Sequence, residues 1–272
     1  METNYTLDEI TKKYNITLEE CDDKQLFVSV MNGKFNRDIE YDDPLILTYI
    51  GSYYQFIKQP TGHDFILMEK YYLKAIENAN NSHNNSTYFA MYNLGRYYQL
   101  IKQYEKMEKY YKIIIDNTSH NTAQYAMLAL GNYYRSIKQP TGYNYELMIK
   151  YYQMTIDFNK HLPSNNKYAV NAMVWLVNHY LNVEKRFDLV KKYLEMVINN
   201  DNNDENIFAR VYAMKTLGQY YKNVDKNKIL MNKYLLMAIE TATSLPLKIT
   251  TDECLSNLQL STYNLQNDSI NM

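Results

Sequence analysis

Five histidines and two cysteines are the side chains of this 272-residue chain best suited to metal or nucleophilic chemistry. His63, His83, His120, His161 and His179 include no two spaced three or four residues apart, so no pair shares a helical face as zinc-binding histidines do. Cys21 follows "LEE", where acids disfavour a thiolate, and Cys254 lies in an amphipathic stretch. The words "QPTG" carry one glycine and no lysine at a following helix start, so they do not make a phosphate loop. The acids are scattered over polar positions, and no two stand out as acid and base. The expectation is therefore a chain that is not an enzyme, with no catalytic residue, no cofactor and no metal.

Charge narrows the partners. Lys plus Arg is 29 and Asp plus Glu is 30, a net −1, so no global excess of cations is available for a phosphate backbone and no nucleic-acid partner is expected. No run reaches eighteen apolar residues, so no membrane partner is expected either. The polar start "METNYTLDEITKKYN" predicts no signal peptide, and two cysteines without a C-x-x-C pair suit a reducing, cytoplasmic setting. With 46% hydrophobic residues the chain can bury a core, and its length suits two domains or one repeat array.

A repeat supplies the elements. "IGSYYQFIKQ" from Ile50 is followed by "LGRYYQLIKQ" from Leu94 and "LGNYYRSIKQ" from Leu130, with weaker copies "LVNHYLNVEK" from Leu176 and "LGQYYKNVDK" from Leu217. Each precedes a second word: "MEKYY" from Met68 and Met107, "MIKYY" from Met148, "VKKYL" from Val190 and "MNKYL" from Met231. Apolar residues recur at three-four spacing in both, for example Met91, Leu94 and Tyr98, then Met107, Tyr111 and Ile114, so both are helical. The pattern predicts first helices near 44–58, 86–102, 121–138, 166–183 and 205–223, and second helices near 64–79, 104–116, 144–159, 187–199 and 226–242.

"IKQPTG" occurs at Ile57–Gly62 and again at Ile137–Gly142. Aligned with the second copy, "PTGHD" and "PTGYN" are insertions between constant words: proline stops a helix, glycine turns the chain, and Asp64 or Asn144 caps the next helix. Asp43-Pro44 opens the first repeat as N-cap and N1. Residues 1–42 hold "TLDE", "TLEE" and "LFVSVMNG", a short helical cap, and "TTDECLSNLQLS" from Thr250 predicts a C-terminal capping helix over part of 245–272. The repeats fall at about 43–82, 83–119, 120–163, 164–202 and 203–244.

Two residue types recur at fixed register. Glycine in mid-helix costs about 1 kcal/mol relative to alanine, so Gly51, Gly95, Gly131 and Gly218 predict close approach of the second helix, with its methionine moulded to the contact. Val177 replaces glycine in the fourth copy. Of each tyrosine pair, one continues the apolar face, while Tyr97, Tyr133 and Tyr220 point sideways into the gap between neighbouring hairpins.

Leu94, Gly95, Tyr98, Met107, Tyr111 and Ile114 resemble the tetratricopeptide register, and Ala90–Gly95 and Ala126–Gly131 resemble the A-x-x-x-L-G word of Sel1-like repeats. The bias toward asparagine, lysine, tyrosine and isoleucine is similar to that of Sel1-like proteins of giant DNA viruses related to mimivirus. The resemblance implies an all-α, right-handed α-solenoid of about five helix-turn-helix repeats with helical caps. It also implies a protein or peptide partner in a concave groove lined by the first helices. The groove positions would be Phe89, Tyr92, Arg96 and Gln99; Tyr125, Leu128, Asn132 and Arg135; Asn171, Val174 and Asn178; and Tyr212, Lys215, Gln219 and Lys222. A lysine-asparagine carboxylate clamp is not reproduced, since Leu128 and Val174 stand one turn before Asn132 and Asn178. The alternative is a structural protein that self-associates or packs within a larger assembly.

Overall fold

In the computed structural model, residues 4–14, 22–57, 62–80, 84–117, 121–136, 143–158, 167–199 and 206–243 are described. Among them there are twelve α-helices and no strand. Two short helices come first, α1 (Leu7–Tyr14) and α2 (Lys24–Met31), then α3 (Pro44–Phe56), α4 (Phe65–Asn78), α5 (Asn85–Leu100), α6 (Tyr104–Asn117), α7 (Asn121–Ser136) and α8 (Tyr145–Asp157). The last are α9 (Lys167–His179), α10 (Phe187–Asn199), α11 (Ile207–Asn223) and α12 (Lys228–Thr243). The chain divides into two compact units, Met1–Leu130 and Gly131–Met272, the division falling within α7. The expected C-terminal helix from Thr250, the "TLEE" box, most of both Pro-Thr-Gly turns and both cysteines lie outside the described residues.

Local sequence starts the helices where capping chemistry allows. The Asp43 carboxylate accepts from the amides of Leu45 and Ile46, with Pro44 at the first helical position. Asp64 and Asn144 accept from Leu67 and Leu147 at 2.9 and 3.0 Å and open α4 and α8. Thr6 and Glu9 form a reciprocal capping box at α1, and Gly33, at φ +77°, ends α2.

Consecutive helices pack on one another, α3 on α4, α5 on α6, α8 on α9, α9 on α10 and α11 on α12, while α3 also meets α5 and α9 meets α11. At the crossings the small residue faces a ring. A β-carbon on Gly51 would lie 2.6 Å from Tyr72, on Gly95 2.4 Å from Tyr111 and on Gly131 2.5 Å from Tyr152. The residue that seals the contact is therefore tyrosine, a correction to the methionine expected from flexibility alone. Met68, Met107 and Met148 are buried, but a turn away on the same helices. In the fifth helix pair Gly218 meets Leu235, and in the fourth Val177 and Leu194 are both fully buried, a smaller partner accompanying a larger residue.

The second tyrosine of each first helix stacks on the first tyrosine of the following helix. Tyr54–Tyr71, Tyr98–Tyr110, Tyr134–Tyr151, Tyr180–Tyr193 and Tyr221–Tyr234 have centroids 5.7, 5.8, 5.8, 6.1 and 5.6 Å apart and rings within 12° of parallel. A further aromatic, three residues before each buried methionine or valine, reaches the next helix pair. Phe65 stacks on Tyr97, Tyr145 packs on His179, and Phe187 packs on Tyr220. Phe35 fills that place for Tyr53 at the N-terminal side. In α12 the position is Lys228, so the last helix pair carries no aromatic for a successor. Tyr97 and Tyr220 sit in the gaps between helix pairs, whereas Tyr133 is buried more deeply than expected, at 7% exposure.

In the second, fourth and fifth copies a left-handed lysine follows the first helix. Lys102, Lys185 and Lys226 have φ of 61, 58 and 54°, and the amides of the residues that follow return to the carbonyls of Tyr98, Tyr180 and Tyr221. The fourth and fifth copies hold one residue more between tyrosine and lysine than the second, which the repeat alignment did not separate. In α9 the extra residue is absorbed as a π-helical turn over Tyr180–Glu184, so the α-helix expected through residue 183 stops at His179.

Candidate functional site

The first-helix residues expected to line a groove fall in both units. In Met1–Leu130, Arg96 and Gln99 are exposed and Tyr92 is half-buried, with the Arg96 guanidinium 5.8 Å from the Tyr92 ring centroid. Tyr92 packs on Tyr125 at 5.4 Å, joining α5 to α7. Phe89 does not line a groove: it is 5% exposed, because α5 packs against both α3 and α4. Its carbonyl accepts from the buried Asn93 amide, whose Oδ1 accepts from Gln55 of α3, and Gln55 in turn accepts from the Tyr72 hydroxyl. This network ties α3, α4 and α5 below a cleft of 380 Å³ lined by Gln55, Phe65, Met68, Asn93, Arg96, Tyr97, Gln99 and Leu100. Gln55, Phe65 and Leu100 were not among the expected site residues. Gln55 takes the groove register in the first copy, and Leu100 is 73% exposed, a signal only the fold reveals.

In Gly131–Met272 the expected residues knit helices together and leave an open face. Asn132 accepts from the Tyr152 hydroxyl at 2.8 Å, and burial pushes that phenol up to about 12. The Arg135 guanidinium lies 3.7 Å from the ring centroid of Trp175, joining α7 to α9, and its buried Nε has no hydrogen-bond partner. The Asn178 amide donates to the Val174 carbonyl, and its Oδ1 accepts from the Tyr212 hydroxyl at 2.9 Å, joining α9 to α11. Val174 and Lys215 are half-buried, as is Leu128 in the other unit, while Asn171, Gln219 and Lys222 are exposed. Trp175, the one tryptophan of the chain, escaped the register argument because it sits one position beyond Val174.

Titratable groups elsewhere take part in buried contacts between helices. Burial and the Glu69 carboxylate raise the Tyr98 phenol, which donates to Glu69 at 2.6 Å. Burial likewise raises Tyr111, whose hydroxyl has no partner. His179, buried at 6% exposure, meets Glu184 at 2.7 Å across the π turn and packs on Tyr145. No three His, Cys, Asp or Glu side chains gather as metal ligands among the described residues, and no helix there is long and apolar enough to cross a membrane.

Comparison with protein-family models, with curated proteins and with solved structures finds no match.

Proposed function

We propose that this chain is a non-catalytic interaction scaffold, a right-handed α-solenoid of about five tetratricopeptide- or Sel1-like hairpins that holds a peptide or protein segment along its first-helix face. The observation that carries this reading is the neighbouring of first helices within each unit, fixed by Gln55–Asn93 and Tyr92–Tyr125 in one and by Arg135–Trp175 and Asn178–Tyr212 in the other. Such helices present a broad surface of aromatic rings, side-chain amides and cations, the groups that anchor peptides. Panning a displayed peptide library on the full chain tests it. Binders should be lost when Asn171 and Tyr212 become alanine, and binders indifferent to that variant would refute the face.

One observation favours a second reading, assembly. Ile66 and Leu73 of α4 and Ile229 and Leu236 of α12 occupy the same outward register, and all four are exposed. The intervening second helices place Glu105 and Lys112, Glu146 and Gln153, and Asp188 and Glu195 there. At this register, apolar side chains kept in water on α4 and α12 alone among the second helices suit contact with another surface. Sedimentation velocity over a concentration series decides: a monomer throughout removes self-association.

A further inference from the structure

Charge in this protein is sorted by helix. Once the helix boundaries are known, α3, α5, α7, α9 and α11 contain no aspartate and no glutamate. Acids appear on α4, α6, α8, α10 and α12, mixed with lysines, so in a chain of net −1 the Lys and Arg of α5, α7, α9 and α11 share those helices with no acid, and α3 carries no charge at all. In the unit Gly131–Met272 the cations of these helices are Arg135 on α7, Lys167 on α9, and Arg210, Lys215 and Lys222 on α11, of which Arg210 stands at the inward register of the buried Ala169 with its Nε buried. Among the described residues none of the five has an ion-pair partner, whereas lysines of second helices do, as Lys112–Glu108 and Lys191–Glu195 show. Acids flank these helices only beyond their ends: Asp225 stands two residues after α11, and Glu184, in the π turn after α9, engages His179.

We infer that the segment held by this unit is an acidic peptide, seated across α7, α9 and α11. This inference rests on the scaffold reading above. Unpaired cations on one face attract acidic side chains and repel basic ones, and like charge there would reject a basic segment outright. Arg135, its guanidinium carbon 3.7 Å from the Trp175 ring centroid, is held by that contact and offers N–H donors suited to a carboxylate. Exposed Asn171 on α9 can donate to and accept from a peptide backbone. The cations are too few and too widely spread over three helices to follow a nucleic-acid backbone, whose duplex form carries one charge per about 1.7 Å.

Trp175 makes the test direct, since the chain has no other tryptophan. The full chain is titrated with three tryptophan-free peptide pools that differ only at alternate positions, holding Asp and Glu, Gln and Asn, or Lys and Arg, and with oligothymidylate. The expected result is a change in Trp175 emission with the acidic pool, weakened by added salt and weakened about tenfold in Arg135→Gln or Lys215→Gln. Lys70→Gln, on α4, is the control and should leave binding unchanged. Binding by the neutral or basic pool with the same Trp175 response would overturn the acidic partner and leave the peptide-binding face standing. Tighter binding of oligothymidylate would overturn it in favour of nucleic acid. No response of Trp175 to any pool, with each variant's melting curve intact, would remove both the acidic partner and this face.

Discussion

Gly95 of α5 faces Tyr111 of α6 so closely that a β-carbon on the glycine would sit 2.4 Å from the tyrosine Cε1. The ring is fully buried, and the missing side chain is what admits it. The same trade of glycine for ring space is made at Gly51–Tyr72 and Gly131–Tyr152. It lapses only where the facing residue is leucine, as at Val177–Leu194.

Gly95→Leu should therefore destabilise the protein by about 1–3 kcal/mol or more, since the obstacle is a ring held on all sides rather than a flexible chain end. Pairing Gly95→Val with Tyr111→Leu copies the fourth helix pair and should recover part of the loss. Thermal melting of the single and double variants reads the coupling, and additive losses would show that the two positions do not compensate.

Alkaline pH should unfold the protein through its buried phenols. Burial raises Tyr152 and Tyr180 up to about 12 in the folded state. An unfolded tyrosine ionises near about 10. Above that pH the native state holds protons that the unfolded chain has released, so stability falls as pH rises. The contribution is complete below about 10 and is lost between about 10 and 12. Melting temperature against pH should drop across that window, and Tyr152→Phe should make the drop shallower.

Removing the Asn178–Tyr212 hydrogen bond by Tyr212→Phe should cost about 0.5–1.5 kcal/mol, the net worth of a neutral hydrogen bond. Asn178→Ala should cost at least as much, and the double variant little more than the larger single. Equal and additive losses in denaturant titration would mean that α9 and α11 are not held by this pair.

The Pro-Thr-Gly insertions do more than lengthen turns. Asp64 and Asn144 cap α4 and α8, and His63 and Tyr143 stack on Phe65 and Tyr145 at 5.8 Å each. Deleting Pro60–Asp64 or Pro140–Asn144 should leave a folded chain. Loop closure entropy changes slowly with length, but each lost cap costs about 1 kcal/mol. Asp64→Ala alone should reproduce most of the first deletion's loss by thermal melting, and a deletion that abolished folding would assign the turn a larger role.

The sequence alone determined the helices. Their starts depend on Asp43, Asp64 and Asn144, whose carboxylate or amide oxygens bond amides two or three residues away, and such local interactions are written in neighbouring letters. The buried faces are equally legible, because a period of 3.6 residues puts Met91, Leu94 and Tyr98 on one side whatever packs against it. The tertiary structure decided what fills each glycine gap, since both tyrosine and methionine recur in the facing word and only the crossing geometry selects the ring. It decided that Phe89 belongs to the interior, because burial there depends on two helices approaching α5 at once. It decided the π turn of α9, which the repeat alignment hid as one surplus residue. The acid-free composition of the first helices was present in the letters throughout. It gained meaning when α7 met α9 at Arg135 and Trp175, and α9 met α11 at Asn178 and Tyr212, because a charge pattern acts on a partner only once separate helices share a surface.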